Sequence, residues 1–345
     1  MLERSVLQPD KIPAILRARY EFAEISVIAP IGGGTANLWR LRCDDTTAVL
    51  KEFQSGYTEN DILKEPEINH TLKAHGLPVV SFLKTISNDY VWSYQDRAFH
   101  LQEHAPGKTV PQNQAPPWLI MTMPGLLADV HKAMRSITLP TSWPKEWYQI
   151  DTGRLVDQYS ALIKQANALD EPLREEIVSD LAYRQQALPQ LSRLELTREK
   201  FTYKPSHGDY HLGQLLIAND ALSAIVDFSA AAAVPAVWEI IRSFTLSHPG
   251  CGNGEIPVED LIEYVSQYLE TSELSHSDIE NMLPLYYAQL TRSRYGYREY
   301  LNGTEDPERT LNFARWRTRT SLWLRDNVAN VTAELVAATS HLLKN

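Results

Sequence analysis

His207-Gly208-Asp209-Tyr210-His211-Leu212-Gly213-Gln214, followed thirteen residues past Gln214 by Asp227-Phe228-Ser229, is the stretch on which the reading of this 345-residue chain turns. Residues 207–217 and 222–228 form a short β-like island in a half of the chain that otherwise reads as helix. Within the island a carboxylate is followed five residues later by a side-chain amide. The apolar run 222–226 then carries a second carboxylate, Asp227, to a strand end beside Phe228. Hard oxygens of this kind suit two tasks, accepting a proton from a hydroxyl and holding a divalent cation. His207, Asp209 and His211 are also zinc-ligand types, but no His-rich partner motif follows them, which disfavours a zinc hydrolase.

Upstream, the first hundred residues read as strands. The β-branched run 24–31 ends at Gly32-Gly33-Gly34. Asn37–Cys43 alternates, with Trp39, Leu41 and Cys43 on one face, and 48–53 is a third strand after the turn 44–47. A helix is expected over 62–75, stopped by Gly76 and Pro78, then strands near 79–84 and 97–103. A proline-rich link covers 111–124. Helices are expected at 125–135, 153–168, 173–188, 258–269, 278–300 and 307–341, the last two interrupted. The division is a small β-rich region, 1–102, and a larger helical region, 103–345.

Lys51 stands on a strand seventeen residues after Gly34. A glycine-rich turn between strands lets backbone N–H groups approach phosphates, and a strand lysine then reaches their oxygens. Three adjacent glycines equally suit a flexible hairpin, so this segment gains meaning only from its company. Composition narrows the classes. With 43% hydrophobic and 22% charged residues the chain suits a globular protein. A formal charge of −10 argues against nonspecific nucleic-acid binding. The start MLERSVLQPDK lacks a signal-peptide apolar run, and the longest uncharged stretch, 109–128, carries four prolines, so neither export nor a membrane span is expected. Two cysteines, Cys43 and Cys251, suit a reducing compartment, and a cytoplasmic location follows as the expectation.

The five-residue spacing from Asp209 to Gln214 is that of a kinase catalytic loop. His-Gly-Asp-x-His-x-Gly-Gln followed by Ile-Val-Asp-Phe resembles the aminoglycoside phosphotransferase/choline kinase superfamily. The Gly32–Gly34 loop, Lys51, Gly76–Val80, Gln102–Lys108 and Leu126–His131 fit it in the same order, over about residues 25–245. The resemblance implies an α+β, two-lobed protein-kinase-like fold, with a nucleotide-binding N-lobe over 1–102 and a hinge and catalytic C-lobe over 103–345. It implies transfer of the γ-phosphate of ATP, with Mg²⁺, to a small-molecule hydroxyl such as that of an aminoglycoside, amino alcohol, homoserine or sugar.

By the same resemblance Asp209 is the catalytic base, and His211 lies where it touches the transferring phosphoryl group or shapes the loop. Gln214 and Asp227 hold the metal. Gly32, Gly33, Gly34 and Thr35 cover the phosphates, Lys51 contacts them, and Glu65, rather than Glu67, pairs with Lys51. Pro66 disfavours helical dihedrals at Glu65 and would make it a helix start. Backbone groups of Glu103 and Ala105 meet the adenine. Glu239 reads as a brace for the loop and His131 as a buried partner. Gln214 stands where the family has Asn, and Ser229 where many kinases have Gly. A non-catalytic nucleotide-binding scaffold is therefore the alternative. Between residues 284 and 325 eight arginines meet four acids. They read either as a solvated helix face or as a pocket for an anionic substrate group.

Overall fold

The computed structural model describes residues 3–32, 36–139 and 151–343. The expectations for Gly33, Gly34 and Thr35 lie outside the described residues. The chain divides into two compact units, Leu2–Val110 with Gly213–Ala231, and Pro111–Leu212 with Ala232–Asn345.

The first unit is built on an antiparallel sheet. Its strands are β1 (Ile25–Ile31), β2 (Asn37–Cys43), β3 (Thr46–Glu52), β4 (Phe82–Leu83), β5 (Val91–Tyr94) and β6 (Arg97–Glu103). The order is β1-β2-β3-β6-β4, with β5 also paired to β6. Alternation on β2 buries Leu41 and Cys43, with Trp39 packed against the same core, as the period-two pattern requires. Leu50, Trp92, Phe99 and Leu101 complete that core with Ile12 and Leu16 of α1 (Ile12–Arg17). Trp92 stacks on Phe99 at 4.4 Å between ring centroids.

Helix α2 (Glu59–Ala74) begins three residues before the expected start, because Thr58 and Asp61 form a capping box. Pro66 therefore falls in the helix interior, and Glu65 is a helical residue rather than a helix start. A second hairpin, β8 (Leu215–Ala218) and β9 (Ala221–Ile225), belongs to this unit. Ile225 N–H bonds Pro78 O at 2.7 Å, and Lys108 and Ile217 exchange backbone bonds at 2.9 and 3.0 Å. Gly107, at φ +115, makes the second contact possible: a Cβ there would lie 2.5 Å from Ile217 O.

The second unit is helical, with β7 (Tyr203–Ser206) paired antiparallel to β10 (Ala232–Pro235). Helix α3 (Pro117–Ala133) starts inside the expected proline link: Pro117 occupies the first position, where its missing N–H is harmless, and Pro124 lies within the helix. There follow α4 (Thr152–Ala166), α5 (Leu173–Leu191), α6 (Ala236–Ser247), α7 (Val258–Leu269), α8 (His276–Arg292), α9 (Tyr297–Leu301) and α10 (Pro307–Thr339). The expected break between α8 and α9 falls at 293–296. The break expected in the last helix is absent, since α10 carries neither Gly nor Pro beyond its first residue and runs 33 residues. A β-rich N-terminal region and a helical C-terminal region thus make up a kinase-like fold. Among the described residues no helix is long and apolar enough to cross a membrane.

Candidate active site

In the first unit Lys51 is buried on β3, 6% exposed, and its ammonium is divided between two carboxylates. Nζ lies 3.1 Å from Glu65 Oε2 and 2.8 Å from Asp227 Oδ1. Glu65 reaches it because α2 turns that residue inward with Ile68 and Leu72. His100 is Lys51's partner across β3 and β6, and its Nε2 lies 3.1 Å from Glu65 Oε2. Burial keeps His100 below its ordinary pKa, so the neutral ring donates Nε2–H to the carboxylate. Burial opposes charge on Lys51 and Glu65 as well, but their mutual attraction outweighs it: the lysine pKa goes up and that of Glu65 down.

Asp227 sits past the end of β9 in the left-handed region, φ 64, and accepts from Ser229 Oγ at 2.6 Å. Phe228 beside it is fully buried. Val226 N–H donates to Gln214 O at 3.0 Å, so the base of the β8–β9 hairpin brings the chain at Gln214 beside Asp227. A carboxylate and a side-chain amide so placed in the chain are oxygen donors of the type that Mg²⁺ or Ca²⁺ takes. Among the described residues no group of three or more His, Cys, Asp or Glu is arranged to hold a metal, so the alternating His207, Asp209 and His211 do not make a zinc site.

In the second unit Asp209 follows Gly208, whose φ of +80 turns the loop sharply after β7. Arg242 Nη2 lies 2.5 Å from Asp209 Oδ1, and His211 Nε2 is 3.5 Å from Oδ2. Burial works to raise the pKa of Asp209, but the Arg242 guanidinium and the neighbouring imidazoles outweigh it and hold the carboxylate far below the ordinary range. Its side chain remains 32% exposed. The loop backbone is fastened from below by the fully buried Glu239, whose Oε1 accepts from Gly208 N–H at 2.6 Å and Tyr210 N–H at 3.3 Å. His131 is buried against Glu239 Oε2 at 3.1 Å, with its Nδ1 2.8 Å from Tyr268 OH. Ser206 Oγ donates to Lys204 O and lies 2.8 Å from His131 Nε2. That assigns the proton to Nε2 and makes Tyr268 the donor to Nδ1.

Glu103 ends β6 with its N–H on Ser81 O at 2.8 Å, and Ala105 lies two residues beyond it. Gly32 is exposed immediately past β1, with nothing within 4 Å of where its Cβ would be. The sequence reading missed His100, which no motif marks. It missed Arg242 too, whose one signal is its place three residues after Glu239, one turn along α6.

The phosphotransferase enzyme family model matches residues 27–270, and the chain belongs to that family. No curated protein sequence matches it. Among solved structures it is similar to an aminoglycoside phosphotransferase from Alicyclobacillus acidocaldarius, at 15% identity and TM-score 0.62, covering 96% of this chain and 98% of that one. It is similar to a microcompartment-associated aminopropanol kinase, at 12% identity and TM-score 0.61, covering 93% and 98%. A third likeness is to an amicoumacin kinase in complex with AMP-PNP and Ca²⁺, at 15% identity and TM-score 0.56, covering 94% and 93%. At these identities the likeness is one of fold.

Proposed function

We propose that this protein transfers the γ-phosphate of ATP to a hydroxyl of a small molecule. The observation that carries the reading is the buried ammonium of Lys51, matched to Glu65 and Asp227 at 3.1 and 2.8 Å, on a sheet of the kinase-like type. A buried lysine set by two carboxylates is a fixed point charge for phosphate oxygens, and the loop 32–35 and the chain at Glu103 and Ala105 would take the rest of the nucleotide. Gln214 and Asp227 would hold the divalent cation, which when bound neutralises phosphate charge.

Asp209 would accept a hydrogen bond from the acceptor hydroxyl. Arg242 keeps this carboxylate weakly basic, so its first task is orientation, with proton uptake following as the oxygen bonds to phosphorus. The acceptor oxygen gains the γ-phosphorus, the bond from that phosphorus to the β–γ bridging oxygen breaks, ADP leaves, and the proton passes to Asp209. His211 would touch the phosphoryl group or the loop around it. The free, buried thiols of Cys43 and Cys251 fit a cytoplasmic setting. The test is ADP release from Mg·ATP across a panel of aminoglycosides, amino alcohols, homoserine and sugars. Stimulation by at least one compound, with the phosphoester identified by mass, is expected. Nucleotide binding with no acceptor-dependent turnover would favour a non-catalytic scaffold instead.

A further inference from the structure

Two strand lysines of this chain are held in contrasting ways. Lys51 is set between carboxylates, whereas Lys204 of β7 places its three protons on neutral oxygens. Its Nζ donates to Ser272 Oγ at 2.6 Å, to Glu273 O at 2.8 Å and to Tyr268 OH at 3.1 Å. Strand alternation puts Ser206 on the same face of β7, and Ser206 Oγ donates to Lys204 O at 3.0 Å.

From Lys204 a directed chain of hydrogen bonds runs to the loop that carries Asp209. Tyr268 OH accepts from Lys204 and, at 3.1 Å, from Ser272 Oγ, so its single proton goes to His131 Nδ1 at 2.8 Å. The opposite ring nitrogen, Nε2, donates to Glu239 Oε2 at 3.1 Å. Glu239 Oε1 in turn accepts from the N–H groups of Gly208 and Tyr210, on either side of Asp209. Tyr268 and Glu239 are fully buried and His131 is 3% exposed, so water does not compete along the inner links. Every donor from the ammonium to the imidazole points toward the loop, and bonds polarised in series strengthen one another.

We propose that Lys204 is a positioning residue: through Tyr268, His131 and Glu239 its ammonium fixes the loop that presents Asp209 for turnover. This rests on the phosphotransferase reading above. Loss of one proton from the ammonium reverses the chain. The neutral amine offers two protons to three oxygens and a lone pair to the Tyr268 hydroxyl, which turns to it and leaves His131 Nδ1 without a donor. The groups around the ammonium are Tyr268 of α7, Ser272 and Glu273 beyond it, and His131 of α3, with Asp278 of α8 acting on its charge. Its neighbour on β10 is the apolar Val234. Burial lowers the pKa of Lys204 to about 8, against the pull of Asp278 and Glu273. Burial also keeps His131 neutral and Tyr268 protonated. It opposes the charge on Glu239, but the bond from His131 outweighs it and that carboxylate stays ionised. Within the chain the lysine is therefore the group that changes charge near pH 8: the ammonium persists below that value and is lost above it.

The test follows kcat against pH with the acceptor that the panel identifies. Beside it, amide hydrogen exchange at Gly208 and Tyr210 and the Tm are measured without any acceptor. In wild type, kcat is expected to fall above about pH 8 with KM for ATP unchanged, and protection of the two amides should fall over the same range. Lys204→Met should lower kcat about tenfold, abolish this alkaline limb and reduce protection of both amides at every pH. Lys204→Arg keeps its charge throughout, so it should retain most of kcat and carry the limb upward by about one unit or more. Tyr268→Phe should lower kcat as much as Lys204→Met, and the double variant no further than either alone. An alkaline limb that neither Lys204 variant moves, or losses that add in the double variant, would overturn the inference. A lysine that only supports the fold would change Tm and leave the profiles as they are. The two readings fail separately. Amide protection lost in Lys204→Met, without phosphoryl transfer to any compound, would sink the phosphotransferase and leave the network. Transfer with wild-type pH profiles in both Lys204 variants would do the reverse.

Discussion

The two charge clusters have opposite signs at their centres. Around Lys51 a buried cation sits between Glu65 and Asp227, and around Asp209 a partly exposed anion sits between Arg242 and His211. The first is shut in by β3, α2 and β6, with neutral His100 at its back. The second is held open on a loop whose backbone is tied down by Glu239. The difference teaches that the lysine is placed by its neutralising partners, whereas the aspartate is placed by its loop and tuned by its partners. Removing charge should therefore disturb binding in the first cluster and turnover in the second.

The sharpest way to break this comparison is Asp209→Asn. Turnover is expected to fall by about 10³-fold if Asp209 orients the hydroxyl and takes its proton as proposed. Stabilisation by Mg·ATP should remain, and a folded variant with wild-type kcat would end the assignment. Next in size is Lys51→Met, for which kcat/KM should drop by about 10²-fold. Here the Tm gain from Mg·ATP should be lost too, as it should in Asp227→Ala. Retention of that gain in both variants would show that the first cluster is structural only.

A third change, Glu239→Gln, keeps an acceptor for Gly208 N–H but removes the charge facing His131. Stability in urea should fall by about 2 kcal/mol, the range for hydrogen bonds to a charged group. Stability and activity both unchanged would mean the loop needs no anchoring from below. The smallest effect concerns pH. Asp209 has a depressed pKa, so its ionised form persists above that value and is lost only as pH falls through it. Arg242→Gln removes the main cation, raises the pKa, and should move the acid limb of the pH–rate profile upward by about one unit. An unmoved limb would assign the depression to the imidazoles.

Much of both clusters is legible in the sequence because polar motifs on short strands and loops are local. Asp209, Gln214 and Asp227 stand within nineteen residues, and Lys51 lies on a strand next to glycines. Which helix glutamate meets Lys51 follows from its face, shared with Ile68 and Leu72. The rest is hidden for physical reasons. In α6 every residue except Arg242 is buried, so the use made of Arg242 depends on how a buried helix is docked and not on a pattern in its own sequence. His100 sits in the apolar strand β6 and matters only through a cross-strand neighbour. Strand β5 has four residues and α1 six, too few for a period to declare itself. The start of α2 was displaced by a capping box that outweighed the proline.

The hairpin formed by β8 and β9 has a consequence for how the chain is made. It lies past residue 212 yet completes the unit that begins the sequence, and it ends at the partner that Lys51 meets 176 positions away. During synthesis from the N-terminus, the first sheet emerges with its lysine facing Glu65 alone, and Pro78 and Lys108 lack their backbone partners on the hairpin. Closure must wait until more than a hundred further residues have left the ribosome, a long loop that slows folding and leaves the edge strands exposed meanwhile. A fragment ending at Val110 would be trapped at that stage. A circular permutant that joins the hairpin directly behind Val110 would relieve the delay.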